Sequence, residues 1–552
     1  MQLINQHTKA IMEGCKERAL DAGLTFQSET LEYIVTNRDL IELSPKVMVP
    51  TLYDYWVHDV EVLKEKGKYE LYPGNPYETV INTRPAISYY NDNNPDWLNV
   101  MIFYHVLGHI DLFQNNIFFR HTWDYDFNGR ALSDKRIIAR LRSEKGRWVD
   151  YLIEFARGID NLVGFHEALS RLNRHTAQGP SSKLDYYFDV FLQTQDEFKI
   201  SQYIAEIERY NRCQQETPSR CEDAFFAEIE LNHPEFQAFY QNYRESQVGN
   251  HQDLIEFIMT HSDFLNRDEN LWMKTVIHVV RQTALFFQPQ IRTKIMHEGW
   301  ASYWHEKLFL QDDRIRGHEV EYARVNAGVT SLPRVGLNPY AIGMRLFQDI
   351  EEMADKGRYN YLFQRLRDAH MRKQYDAATG RGMDHIFDIS RNYCDFMFIN
   401  EFVDQDFVDR HRLFVAGKRL NRSRMTWEYF VQSRDASQYR QMLIDSLYHP
   451  PHIEVDRKRS EEGPLVLVHR FEGKPLVSEF IANTMLGIEF LWGQPVVLET
   501  TERIPAAAMS EPMTPTGLPI QTTEEARPSA PQWQRVRYTM ANRQLSREVF
   551  SD

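Results

Sequence analysis

The sequence predicts a mainly α fold: a large helical body, a small C-terminal α+β module of ββαβ order, and a disordered tail. Three observations predict it. Apolar residues recur at helical spacing through most of residues 96–411, with little strand-like alternation. Near "YHPPHIEVD" (448–456) the pattern changes to short apolar and β-branched runs. From Pro505 to Pro531, six prolines among Thr, Ser and Ala give a composition that cannot bury enough apolar surface to order itself.

The elements follow in chain order. Ile11, Leu20, Leu24, Leu31 and Ile34 are spaced near the helical period, so residues 1 to about 45 are expected to be an amphipathic helix. "NPYETVINTRPAISYY" (75–90) alternates, is rich in Val, Ile, Thr and Tyr, and predicts a strand or sheet edge. Asn94 and Pro95 then lead into a helix over 96–119. Helices are expected at 131–172, 185–212, 222–245, 252–265, 270–287 and 291–311, then at 338–355, 358–372 and 397–411. In the module, strands at 452–456, 464–471 and 495–501 enclose a helix at 475–492. The chain therefore divides into a helical domain over 1–447, a module over 448–504 and a mobile tail over 505–552, with no internal repeat.

Composition narrows the function classes. The 42% apolar and 26% charged content is that of a soluble globular protein, and 33 Phe allow a large core. A net charge of −14 argues against nucleic acid or an anionic membrane as the main partner. Cys15, Cys213, Cys221 and Cys394 show no metal-type pairing and are too few for a disulfide framework, which suggests a reducing compartment. No basic start precedes an apolar run at the N-terminus, and no stretch approaches 18 consecutive apolar residues. Neither a secretion signal nor a membrane span is expected, and the cytoplasm is the default.

Two stretches carry chemistry. In "YHVLGHIDLFQNN" (104–116), His105 and His109 share one face of a helix whose neighbours are apolar all round. A buried imidazole must be hydrogen-bonded or ligate something. Yet 20 histidines in this length give about one H-x-x-x-H pair by chance, so two satisfied core histidines remain an alternative. Val106 stands where a zinc protease of the H-E-x-x-H kind has its general base.

The second stretch is "MHEGWASYWHE" (296–306), where Glu298, Ser302 and His305 lie near one helical face. Glu298 joined to the histidine pair makes the His, His, Glu set of a catalytic zinc with an open fourth position. His305 could be a fourth ligand, contact substrate, or orient Glu298. The alternative is a buried salt bridge or helix-pair hydrogen bond.

"PYETVINTRPAISY", "HVLGHIDLFQNNIFF", "FFQPQIRTKIMHEGWASYWHEKL", "LNPYAIGMRLFQDI" and "FINEFVDQDFVDRHRLF" occur in the order found in the SpoVR family. On these five motifs the chain resembles that family over roughly residues 45–500. The resemblance implies a bacterial cytoplasmic protein linked to sporulation and spore-cortex formation, often encoded beside a serine protein kinase operon. The helical histidine motif with a later E-G-W-A helix is also similar to zinc metallopeptidases of the gluzincin type. That similarity implies a zincin-like body, with His105, His109 and Glu298 holding a divalent metal, zinc by preference, and His305 a catalytic neighbour. It further implies amide hydrolysis on a peptide or muropeptide-like, peptidoglycan-related substrate.

Three positions depart from the family pattern. His297 replaces an asparagine before the glutamate, "DYWVHDVEV" (54–62) keeps Trp56 but has Tyr55 where a histidine is expected, and Asn326 replaces a histidine. A Lewis-acidic cation acidifies water, which then needs only a nearby acceptor for its proton. Glu78, in "PYETVIN", lies on an edge segment that borders the cleft in zincin-like layouts and is the candidate base, a solvated strand carboxylate being the alternative. Tyr104, Asn115, Asn116 and Tyr340 could line the cleft, with a structural role as the favoured alternative for each, and Asp111 faces away and at most supports a ligand from behind. The rival reading is a non-catalytic regulator or scaffold for the kinase-operon proteins, with a structural or vestigial metal site.

Overall fold

The computed structural model describes residues 2–36, 78–164, 182–192, 200–241 and 252–550, apart from 28, 84, 120–121, 123–126, 217–220, 235, 334, 422–424, 448, 461–462 and 505–532. These residues form two compact units, one of Phe165–Phe257 and one of Met1–Gly164 with Ile258–Asp552. The protein is mainly helical with a C-terminal sheet region. Among the described residues no helix is long and apolar enough to cross a membrane.

The smaller unit packs Tyr187, Phe191, Phe225, Phe226 and Phe236 into one aromatic core. Of the helix expected over 185–212, residues 193–199 lie outside the described residues. Before them, helix Ser182–Tyr186 passes into a π-helical stretch at Tyr187–Phe191, and after them a helix spans Ile200–Glu216.

The larger unit starts with strand β1 (Gln2–Leu3) and helix α1 (Gln6–Asp21). Asn5 caps α1 by accepting from the Thr8 amide at 2.8 Å. The helix expected to run to residue 45 stops here. Leu31 and Ile34 instead lie in strand β2 (Thr30–Val35), whose "TLEYIV" is rich in β-branched and aromatic residues. Residues 37–77, which include Tyr55 and Trp56, lie outside the described residues.

The strand signal at 75–90 resolves into β3 (Glu78–Ile81) and β4 (Ala86–Asn91). The sheet order is β1-β2-β4-β3, with β2 and β4 parallel and β3 antiparallel on the edge. Helix α2 (Asp96–Asn115) follows Pro95, and a 3-10 turn over Ile117–Phe119 completes the segment predicted as one helix.

Helices α3 (Leu271–Arg292) and α4 (Lys294–Phe309) meet at Thr293. The α4 N-terminus is capped from a distance: Asp395 accepts from the Ile295 and Met296 amides at 2.8 and 2.9 Å. Helices α5 (Glu319–Thr330), α6 (Pro339–Asp355) and α7 (Gly382–Asn392) continue the body. One core cluster joins α1, α2, α4, α6 and α7, with Trp300, Trp304, Phe103 and Phe347 fully buried.

An unpredicted hairpin, β5 (Val415–Asn421) with β6 (Thr426–Ser433), leads to the C-terminal module. There β7 (His452–Val455), β8 (Leu465–Arg470), helix α8 (Ser478–Trp492) and β9 (Val496–Arg503) follow the expected ββαβ order. Gly493 ends α8 at φ +82°, where a Cβ would lie 2.5 Å from Phe264 Cβ. The expected tail over 505–552 needs correction. Residues 505–532 lie outside the described ones, but β10 (Trp533–Ala541) and β11 (Gln544–Val549) extend the sheet to the order β11-β10-β9-β8-β7. Val536, Tyr538 and Met540 alternate onto its buried face, so this segment orders by strand pairing that composition alone does not reveal.

Candidate metal centre

Close helix packing builds the site. Phe103, Tyr104, Val106 and Leu107 are fully buried, so α2 is enclosed on all sides. Gly108 lets α4 approach: a Cβ on Gly108 would lie 2.8 Å from Ala301 Cα. On its other side α4 meets α6 through Gly299 and Gly343, where a Cβ on Gly299 would lie 2.4 Å from Gly343 Cα. Larger residues at either crossing would separate the helices. The residues beside these contacts (His105 and His109 around Gly108, Glu298 before Gly299, Tyr340 a turn before Gly343) are thereby brought together.

One ligand atom from each of His105, His109 and Glu298 lies within 4.8 Å of the other two. Glu298 Oε2 is 3.8 Å from His105 Nε2 and 3.7 Å from His109 Nε2. These separations exceed a hydrogen bond. They lie near the spacing of about 3.3 Å between two ligands of a tetrahedral ion with bonds of about 2.0–2.1 Å. Glu298 Oε2 is buried and accepts no hydrogen bond among the described residues. A buried, unsatisfied carboxylate oxygen facing two imidazole nitrogens is the donor set of a divalent cation, so these residues fit a metal.

The surroundings favour the ligating forms. Burial, then the neighbouring imidazoles of His105 and His297, holds His109 well below the usual histidine value. His297 and His305 are pushed down to about 3, first by burial and then by His105. All three are therefore neutral near pH 7. Burial raises the Glu298 carboxyl, but His105, His109 and a hydrogen bond from Tyr340 outweigh it and leave Glu298 below the ordinary carboxylate value. Tyr340 also stacks on His105, with ring centroids 5.9 Å apart and planes at 17°.

Behind the ligand atoms, His105 Nδ1 meets His305 Nδ1 at 2.9 Å and His109 Nδ1 meets His297 Nδ1 at 2.6 Å. His305 thus orients His105, not Glu298, and its other nitrogen lies 2.9 Å from Asn326 Oδ1. With both nitrogens engaged and no exposure, His305 is placed to hold the His105 ring. His297 and Asn326, two of the positions expected to depart from the family pattern, contact His109 and His305 respectively.

The remaining candidates separate clearly. Glu78 opens β3 opposite Tyr90, while its side chain lies outside the described residues. Tyr104 donates to Asp312 at 2.7 Å, away from the ligand set. Asn115 donates to Asp111, and Asn116 to the Ser390 and Tyr393 carbonyls, so both are structural. Asp111 faces away from the ligands as expected, accepting from Trp300 Nε1 at 2.9 Å and the Thr25 amide at 2.8 Å. Burial pushes its carboxyl up to about 6.

Of the proposed cleft residues, Tyr340 alone lines the cavity that borders the site. This space of about 320 Å³ is walled mainly by Leu98, Met101, Ile102, Val325 and Val329, with His105 and His305 at its polar end. Sequence reading missed Glu306, which accepts from Asn326 Nδ2 at 2.9 Å and from Gln348 at 3.2 Å. A charged residue directly after His305, two turns beyond Glu298, was its only sequence signal.

Residues 2–449 match the protein family described as SpoVR like protein. The chain is also similar to the Escherichia coli (strain K12) protein named "Uncharacterized protein YcgB", with 23% identity over 336 residues. That similarity covers 58% of this chain and 59% of the relative, less than two thirds of the relative's length. No solved structure matches the chain.

Proposed function

Because the chain belongs to the SpoVR family, we propose that it is a divalent-metal-dependent hydrolase of amide bonds in cell-wall-related peptides. The observation that carries this reading is the convergence of His105, His109 and Glu298 beside a cavity. Two imidazoles and a carboxylate are the ligand types of catalytic zinc, which makes zinc the preferred metal. Bound there, a divalent cation would supply Lewis-acid polarisation of a carbonyl and acidify water.

The protein's own residues then have distinct tasks. His105, His109 and Glu298 hold the cation, with His305 and His297 orienting the two histidines. Glu78 takes the proton from water. The edge position of β3, antiparallel to β4 in the sheet beside α2, supports this assignment and a zincin-like layout of the body. Tyr340, at the cavity edge, gives its one hydroxyl proton to Glu298 and helps hold that carboxylate in place. Apolar walls suit an uncharged substrate segment.

The muropeptide-like substrate, the link to spore-cortex formation, the cytoplasmic location and the kinase-operon partners belong to the same proposal and rest on family resemblance. The test is chromatographic: zinc-loaded wild type and the Glu298→Gln variant are incubated with muropeptides. Release of a shortened peptide by wild type and not by the variant supports hydrolysis. Metal binding without cleavage of any peptide would instead favour a regulator with a structural metal site.

A further inference from the structure

We propose that Glu306 and Asn326, acting through His305, fix the ring proton of His105 on Nδ1 and so leave its Nε2 lone pair facing His109 and Glu298. This rests on the reading of His105 as a metal ligand, but the proton relay can be tested without metal.

The chain of hydrogen bonds has one direction. A carboxylate only accepts, and Glu306 Oε2 lies 2.9 Å from Asn326 Nδ2. That contact turns the Asn326 carbonyl oxygen towards His305, 2.9 Å from Nε2. A carbonyl oxygen also only accepts, so the proton of His305 must be on Nε2. A neutral imidazole has one N–H and one lone pair, so His305 Nδ1 is an acceptor. His105 Nδ1, 2.9 Å away, must therefore donate to it. The remaining His105 nitrogen, Nε2, is the one 3.8 Å from Glu298 Oε2. Gln348 donates to the other Glu306 oxygen at 3.2 Å and helps hold the carboxylate in place.

His109 lacks such a relay. Its Nδ1 meets His297 Nδ1 at 2.6 Å, but His297 Nε2 is buried with no partner among the described residues. Among the described residues, no hydrogen bond beyond His297 dictates which ring carries the proton. The relay therefore makes His105 the prearranged ligand of the pair, and Glu306 a positioning residue remote from the metal.

Charge reversal tests the direction. In Glu306→Lys a donor replaces the acceptor, so Asn326 should turn its amide nitrogen towards His305 and drive the His105 proton to Nε2. Glu306→Gln still offers an oxygen and should preserve the relay. The readout is the tautomer of His105, from nitrogen shifts of ¹⁵N-histidine-labelled, metal-free protein, with the His105→Ala spectrum as assignment. Zinc affinity by competition with a chromophoric chelator gives a second readout.

Wild type and Glu306→Gln are expected to carry the proton on Nδ1. Glu306→Lys is expected to move it and to bind zinc about 10–100-fold more weakly. If Glu306→Lys does not fold, Asn326→Leu, which removes the acceptor for His305, should lose the single tautomer. A wild-type proton on Nε2, or an unchanged His105 tautomer in the folded variants, overturns the relay. Absence of zinc binding by wild type with the Nδ1 proton in place would overturn the metal reading and leave the relay standing.

Discussion

Gly299 and Gly343 touch backbone to backbone, such that a Cβ placed on Gly343 would lie 2.1 Å from the Ile295 carbonyl oxygen and 2.7 Å from Gly299 Cα. This contact sets the distance between α4 and α6, and with it the separation of Glu298 from Tyr340. Backbone offers little room to yield, so Gly343→Ala should destabilise the protein by about 1–3 kcal/mol. Chemical unfolding measures this, and zinc affinity should fall with it as Glu298 shifts. A loss below about 0.5 kcal/mol, the range of ordinary surface substitutions, would contradict this crossing.

Asp312 predicts a pH dependence. It accepts from Tyr104 at 2.7 Å and Arg18 at 3.1 Å, and it pairs with Arg314. Burial opposes its ionisation, but Arg314 and Tyr104 prevail and hold its carboxyl down at about 2. A folded value below the unfolded one means stability that is present above about pH 4 and lost as pH falls towards 2. Asp312→Asn should thus cost about 2 kcal/mol at pH 7. Unfolding curves of variant and wild type should converge between about pH 4 and pH 2. A pH-independent gap would show that charge at Asp312 is not the source.

Glu78 should be separable from metal binding. Glu78→Gln is expected to keep zinc affinity within about twofold of wild type while lowering turnover by about 10²–10⁴. Equal losses of affinity and turnover would place Glu78 on the metal instead of in proton transfer.

The C-terminal strands should be indispensable. Ending the chain at residue 504 removes β10 and β11, exposes the edge of β9 and strips Arg537 from Glu499, to which it donates at 2.9 Å. Thermal unfolding of the truncated chain should begin at lower temperature, with aggregation. An unchanged transition would restore the mobile tail expected from composition.

Local physics made part of this molecule legible in its sequence. The apolar run around His105, the alternation at 75–90 and the strand–helix–strand pattern after 464 each depend on neighbours within a turn or a strand, and each element formed. Leu31 and Ile34 misled because their spacing suits a helix, whereas pairing with β1 and β4 decides for strand. Trp533–Val549 was hidden by the Pro-rich segment before it. At the site, residue types and i, i+4 spacing pointed to His105, His109 and Glu298. Their backing could not be read this way, because His305 lies 200 residues from His105 and the relay runs through a third helix. Spacing also cannot distinguish a histidine that faces a cation from one that stands behind another histidine.

The most direct measurement is the metal content and zinc affinity of purified protein, by elemental analysis and calorimetry, for wild type, His105→Ala and Glu298→Gln. One tightly held divalent ion per wild-type chain is expected, with loss of most of that binding in both variants while each stays folded. Wild type without a bound ion, or variants that bind as wild type does, would contradict the metal centre on which the proposed function rests.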